Sequence, residues 1–303
     1  MRFSRRLVTV RDLKWCSDIL EDGFENRLDL RSRLPELWAG LLSSSALTMI
    51  VVQDDAAQRR VAFGAGVIVP DEFVTLARQA HRPHVGVALI EKEARQPGVH
   101  VLRPDQIRKV NHPGHGVNLL ILHYSEAVDQ YGRDELRLVR DKSLQALVEL
   151  QAGYAMKEVL FEFYGEDDLP YCHVMGMNLR DTYEQYYLPG SIPVPPREKR
   201  PFLVGLARDE MEAKWGSPVA SLFTYARPYF FFTPAQQNVL IRALLGESDA
   251  EICDDLCIMN STIREHWKAI YERVLDVQQN WRRDLKVLKV DGHLPGEADY
   301  PLK

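Results

Sequence analysis

The sequence predicts an α/β domain with a mixed sheet and flanking helices, followed by an all-α domain. Three observations predict it. Apolar, β-rich runs recur at 47–53, 61–69, 117–124 and 156–164. The last third instead shows one-face helical spacing, at Val239, Leu240, Ala243 and Leu244 and again at Ile263, Trp267, Ile270, Tyr271 and Val274. Between the two lies 188–201, whose five prolines fix φ and remove donors, as in a stiff extended linker. The expected domains are therefore 1–188, a Pro-rich linker and coupling helix over 189–231, and a helical domain over 232–290.

In chain order, Val8-Thr-Val reads as a short strand and Arg11–Phe24 as a helix, with a second helix over Arg33–Leu42. Leu47–Gln53 and Val61–Val69 flank the polar turn 54–60, which predicts a hairpin. Residues 79–116 are rich in His, Arg and Pro and give no assignment. Val117–Tyr124 is the strongest strand. Leu136, Val139, Leu144, Leu147 and Val148 place a helical stripe on 133–151, closed by Gly153. Met156–Tyr164 is the next strand, and Leu206–Trp215 reads as a short helix.

Hydrophobic residues make up 46% and charged residues 27% of the 303, which supports a sizeable core and argues against global disorder. A net charge of −5 excludes a broadly basic nucleic-acid coat but leaves room for one small DNA-reading face. The four cysteines are too scattered for a disulfide scaffold. No apolar h-region follows Met1, and no membrane span is expected. These features point to the reducing cytoplasm, and no membrane partner is predicted. Phe63-Gly-Ala-Gly reads as close backbone approach within a strand. His81/His84 and His112/His115 read as loop histidines, and Cys253/Cys257 as helix packing. No metal or cofactor is predicted.

Within 232–274, Thr233-Pro234 is a helix start signal, Gly246 closes that helix, and Ser248 or Asp249 caps the next. Asn260 or Ser261 begins a third helix, with Ser261, Arg264, Glu265, Lys268 and Glu272 opposite its apolar stripe. Phe232-Thr-Pro-Ala-Gln-Gln-Asn-Val-Leu, Gly246-Glu-Ser-Asp-Ala-Glu-Ile and 256–274 together resemble the LuxR-type (GerE-like) helix-turn-helix over about forty ungapped residues. The resemblance implies a bacterial-type transcription regulator that binds double-stranded DNA as a homodimer and is not an enzyme. It implies a contact set of Asn260, Ser261, Thr262, Arg264, Glu265, Lys268 and Arg273, with Arg264 reading guanine and Lys268 meeting a phosphate. Gln236, Ala250 and Met259 depart from the family pattern. Over 232–276 four basic residues face eight acidic ones, which predicts weak, salt-sensitive binding.

The element order of 1–188 resembles, at fold level, the GNAT acetyltransferases, on the Val8–Phe24 start, the Leu47–Val69 hairpin and Gly153-Tyr154 with the strand after it. The family's Gln/Arg-x-x-Gly-x-Gly/Ala turn, which would hold the coenzyme A pyrophosphate at a helix N-terminus, is replaced by Ser125-Glu-Ala-Val-Asp-Gln-Tyr-Gly-Arg-Asp-Glu. This predicts a degenerate domain that dimerises or receives an effector or partner protein. Two alternatives stand beside the regulator: an acetyltransferase-like enzyme with a helical appendage, and a protein-binding adaptor.

Overall fold

A computed structural model describes residues 2–20, 23–24, 27–127, 131–188, 192–226 and 228–290, with side chains as far as 279. The chain forms two compact units, Met1–Tyr225 and Ala226–Lys303.

The first unit is a seven-stranded mixed sheet in the order β1-β2-β3-β4-β5-β7-β6. Its strands are β1 (Phe3–Leu7), β2 (Leu47–Asp54), β3 (Arg59–Val69), β4 (Val117–Glu126), β5 (Met156–Tyr164), β6 (Asn178–Asp181) and β7 (Pro201–Ala207). All neighbours are antiparallel except β4 and β5. The helices are α1 (Leu13–Ile19), α2 (Leu28–Ser43), α3 (Asp71–Gln79), α4 (Val85–Arg95), α5 (Pro104–Val110), α6 (Arg133–Gln151), α7 (Leu169–Val174) and α8 (Glu184–Tyr187).

Alternation along the strands sorts the core by face. Met49 and Val51 pack with α1, α2 and α4, including Trp38 and Leu89, whereas Ile50 and Val52 pack with Val139 and Ala146 of α6. On β5, Leu160 joins the first group, and Val159 and Phe163 join the cluster that contains Cys172 of α7.

The hairpin, the 133–151 helix and the 156–164 strand form over the predicted residues. The first strand lies earlier, at Phe3–Leu7, and the first helix ends at Ile19. The unassigned stretch 79–116 holds α4 and α5. The stretch taken for linker and coupling helix contains β7, which fills the sheet between β5 and β6, so the compact unit runs to Tyr225 rather than 188. Pro201 opens that strand, the position a strand tolerates. The run Phe202–Leu206 is buried on both faces, so it lacks the alternation that marks a half-exposed strand. Gly205 permits close approach to β5: a Cβ there would lie 2.6 Å from the Val159 carbonyl oxygen.

The second unit is all-helical: α9 (Pro234–Leu244), α10 (Asp249–Leu256) and α11 (Asn260–Val290). Thr233 and Ser248 cap α9 and α10, each accepting the backbone N–H three residues on. Val239, Ile252, Cys253, Ile263 and Ile270 form its core. Tyr271, expected inward, is exposed. Among the described residues no helix is long and apolar enough to cross a membrane.

Candidate active site between strands four and five

The parallel pairing of β4 and β5 runs from Val117↔Met156 to Ile121↔Phe161 and goes no further, although both strands continue. At the same level β4 is bulged against β3. Ala65 pairs with His123 and Gly66 with Ile121, so Leu122 faces no partner. A bulge re-aims the side chains that follow it. The outcome is a cavity of about 660 Å³ between the two strands, lined from both faces of the sheet. Phe24, Val87, His123, Glu162 and Tyr164 line the α1/α4 face. Ser143, Leu147, Phe161, Phe163 and Tyr171 line the α6/α7 face.

Gly86 sets the width. An added Cβ would meet the Leu122 carbonyl oxygen at 2.8 Å and His123 Cε1 at 3.5 Å, so α4 presses its first turn directly onto the bulge. That turn supplies partners for Glu162. One carboxylate oxygen accepts the His84 backbone N–H at 2.8 Å and the other accepts that of Val85 at 2.7 Å. Burial nevertheless pushes the Glu162 carboxyl up to about 7. Tyr164 stacks on His84, and its hydroxyl lies 3.1 Å from His84 Nδ1.

On the other face the Tyr171 hydroxyl is buried and has no hydrogen-bond partner, and burial pushes its phenol up to about 12. Arg140 of α6 ties Glu126, at the end of β4, to Asp168, in the turn after β5, at 2.8 and 2.7 Å. The α6 N-terminus does not suit a pyrophosphate. Asp134 and Glu135 occupy its first turn, Glu135 accepts the Gly132 N–H at 3.0 Å, and the nearby Arg140 is paired with two carboxylates. Residues 128–130 of the predicted substitute turn lie outside the described residues.

The residues expected to contact DNA all lie in the first half of α11. Asn260, Ser261, Arg264, Glu265, Lys268 and Arg273 are exposed and Thr262 is half-buried. Lys268 lies 3.9 Å from Glu272, and Arg273 Nε donates to the Phe230 carbonyl at 2.7 Å. Arg242, counted among the basic residues of this unit, is buried between Glu247 and Asp255 at 3.1 and 2.8 Å. The histidine pairs are divided: His81 meets Asp181 at 2.7 Å, whereas His112 and His115 stack edge to face.

Sequence reasoning missed Glu162, His123 and Tyr171. The available signal was a carboxylate inside Val-Leu-Phe-Glu-Phe-Tyr, a run too apolar for a strand with one wet face.

No protein-family model and no curated protein matches the chain. Solved structures do resemble it. One is the spermidine/spermine N-acetyltransferase SpeG from Vibrio cholerae with manganese ions (9% identity, TM-score 0.38, 71% of this chain and 97% of that one). Another is the C-terminal condensation domain of Ebony with β-alanyl-dopamine (12%, 0.40, 68% and 100%). A third is the Vibrio cholerae spermidine N-acetyltransferase in complex with CoA and spermine (9%, 0.36, 69% and 96%). At these values the likeness extends only to the arrangement of the sheet and its helices. These neighbours are acetyltransferases and a condensation domain, and the cavity described above lies in the N-terminal sheet. The expectation of a DNA-binding transcription regulator that is not an enzyme is corrected: the solved structures the chain resembles are acetyltransferases and a condensation domain, not DNA-binding regulators.

Proposed function

We propose that the N-terminal unit is an acyltransferase-like enzyme that moves an acyl group from a thioester to an amine or hydroxyl acceptor across the sheet. One observation carries the reading. The cavity between β4 and β5 has a buried carboxyl raised to about 7 on one face and a buried, unpartnered phenol on the other. A base poised near neutrality and an acid that keeps its proton are the two groups acyl transfer needs. Glu162 takes the proton from the acceptor N–H or O–H as that atom forms its bond to the acyl carbon. Tyr171 gives its proton to the sulfur as the C–S bond breaks. The proton on Glu162 is then exchanged to restore Tyr171 through solvent.

The α6 N-terminus does not fit a nucleotide pyrophosphate, so the donor is an acyl thioester held without a pyrophosphate site there. The C-terminal unit enters as an appendage with the three-helix spacing of a helix-turn-helix.

The test is thiol and product formation, followed by mass spectrometry, with S-acetyl-N-acetylcysteamine and acetyl-coenzyme A as donors against a panel of amines and phenols. Glu162→Gln and Tyr171→Phe should each lower transfer by about 10²–10⁴-fold. Transfer no faster than without protein, or an undiminished Glu162→Gln variant, would refute the reading.

A further inference from the structure

A file of three side chains leads out of the cavity from Glu162. The Tyr164 hydroxyl lies 3.4 Å from Glu162 Oε2 and 3.1 Å from His84 Nδ1. The Tyr164 and His84 rings stack, with centroids 6.0 Å apart and planes at 18°. Glu162 and Tyr164 line the cavity, whereas His84 stands outside its lining and is half-buried. The file therefore runs from the cavity wall toward the surface of the first unit.

The backbone holds these groups together. His84 is the N-cap of α4 at a φ of 69°, a left-handed conformation that costs a non-glycine residue energy. There its N–H reaches Glu162 Oε1 while its ring reaches Tyr164. Gly23 packs over the junction: a Cβ would lie 2.6 Å from the Tyr164 hydroxyl and 3.0 Å from His84 Nδ1. Gly23 is itself buried, so backbone rather than water covers that side of the hydroxyl. Tyr183 and Tyr187 also face Glu162, but both are buried and offer no exit. Asp181, beyond Tyr183, accepts the Tyr183 N–H and meets His81.

The Tyr164 hydroxyl has one proton and two partners. It donates to an ionised Glu162, or it accepts from a protonated Glu162 and donates to His84 Nδ1. Substrate in the cavity closes the cavity side to water, which leaves the His84 side open. We propose that Tyr164 and His84 form a proton relay that carries the proton taken by Glu162 out of the occupied cavity to solvent. Glu162 Oε2 passes its proton to the Tyr164 oxygen as the Tyr164 proton moves to His84 Nδ1, and the imidazolium gives up one proton to water. Glu162 is left ionised, and Tyr164 and His84 are left neutral. Both residues act through Glu162. The relay deepens the transfer reading and rests on it for the source of the proton.

His84→Gly keeps the backbone N–H and suits the left-handed φ, and Tyr164→Phe keeps the stacked ring. In the transfer assay with S-acetyl-N-acetylcysteamine each should lose about 10²-fold. Added imidazole should restore most of that loss in His84→Gly and none in Tyr164→Phe. A second readout needs no activity: the nitrogen-15 shift of His84 Nδ1, followed through neutral pH in the full chain. It should show the protonation of the ring and a further step at the Glu162 transition near 7, where the Tyr164 proton turns from the carboxylate to Nδ1. That step should vanish in Glu162→Gln. It should also vanish in Tyr164→Phe, where the Glu162 charge still titrates but no hydroxyl links it to the ring. A step that survives Tyr164→Phe, undiminished transfer in either relay variant, or His84→Gly indifferent to imidazole would each overturn the relay while transfer stands. The step without transfer to any acceptor would keep the linked file of groups and remove the transfer reading.

Discussion

Glu162 Oε2 accepts the backbone N–H of Val85 at 2.7 Å, which seats a β5 carboxyl on the first turn of α4. Helix N-terminal N–H groups favour the ionised carboxylate. Burial opposes them and prevails, since the group is raised to about 7 from an ordinary 4.5. A carboxyl that holds its proton more tightly when folded stabilises the fold most below its unfolded value. That contribution, about 3 kcal/mol, is lost as pH rises through 7. Glu162→Gln has no such titration. Urea unfolding of both proteins from pH 5 to 8 should show the wild type losing about 2–3 kcal/mol relative to the variant. Parallel curves would mean that Glu162 is ionised throughout. The same group predicts that transfer rises with pH to an apparent pKa near 7, a limb that Glu162→Gln lacks.

Gly86 has an ordinary negative φ, so its constraint is spatial. A Cβ would sit 2.8 Å from the Leu122 carbonyl oxygen, a backbone atom of the bulge that cannot swing aside. Gly86→Ala should therefore cost about 1–3 kcal/mol by overpacking and displace the α4 turn that supports Glu162. Gly40 is helical and open, with nothing within 4 Å of an added Cβ, and is the control. Gly40→Ala should be neutral or stabilise by up to about 1 kcal/mol. Equal unfolding midpoints for the two variants would show that the bulge yields.

Elements whose physics is local were legible in the sequence. The helix over 133–151 carries its own apolar stripe, and Thr233 and Ser248 cap helices through contacts three residues away. β7 was not legible, because its burial comes from β5 and β6, which pair with it across the fold. The site was less legible still. His123, Glu162 and Tyr171 line one cavity only because β4 and β5 part after Ile121 and Phe161. That separation is a tertiary event with no motif of its own. The stripe on α11 was read one residue too wide at Tyr271. Its neighbours Ile270 and Trp267 turn toward α9 and α10, whereas Tyr271 stacks on Trp267 at 5.8 Å from outside.

Arg140 holds the open end of the cavity through Glu126, whose side chain is 6% exposed, and Asp168, which is half-exposed. Its two bonds differ in worth for that reason. The Asp168 pair is screened by water and contributes little. Arg140→Leu would leave the Glu126 carboxylate buried with only the Tyr124 hydroxyl as a donor, at a cost of about 3 kcal/mol. Adding Glu126→Gln should recover most of that loss, while Asp168→Asn alone should change stability by under about 1 kcal/mol. The check is a double-mutant cycle in urea. Strictly additive losses would show that Arg140 and Glu126 are not coupled.

The C-terminal unit has a small core, so its termini carry more of its stability. Thr233 accepts the Gln236 N–H at 3.3 Å, and the Gln236 side chain returns to the Thr233 N–H at 2.8 Å, which closes both ends of a capping box. Thr233→Ala should lower the stability of this unit by about 1 kcal/mol, and Thr233→Ser should restore it. Trp267 reports on the unit, because its indole N–H donates to Asp249 at 2.9 Å and so ties α11 to α10. Hydrogen exchange at the α9 amides should speed up about 5-fold in Thr233→Ala, the ratio that 1 kcal/mol allows. Exchange unchanged from wild type would show that α9 opens from its other end, at Gly246, and that the cap contributes nothing to the barrier against opening.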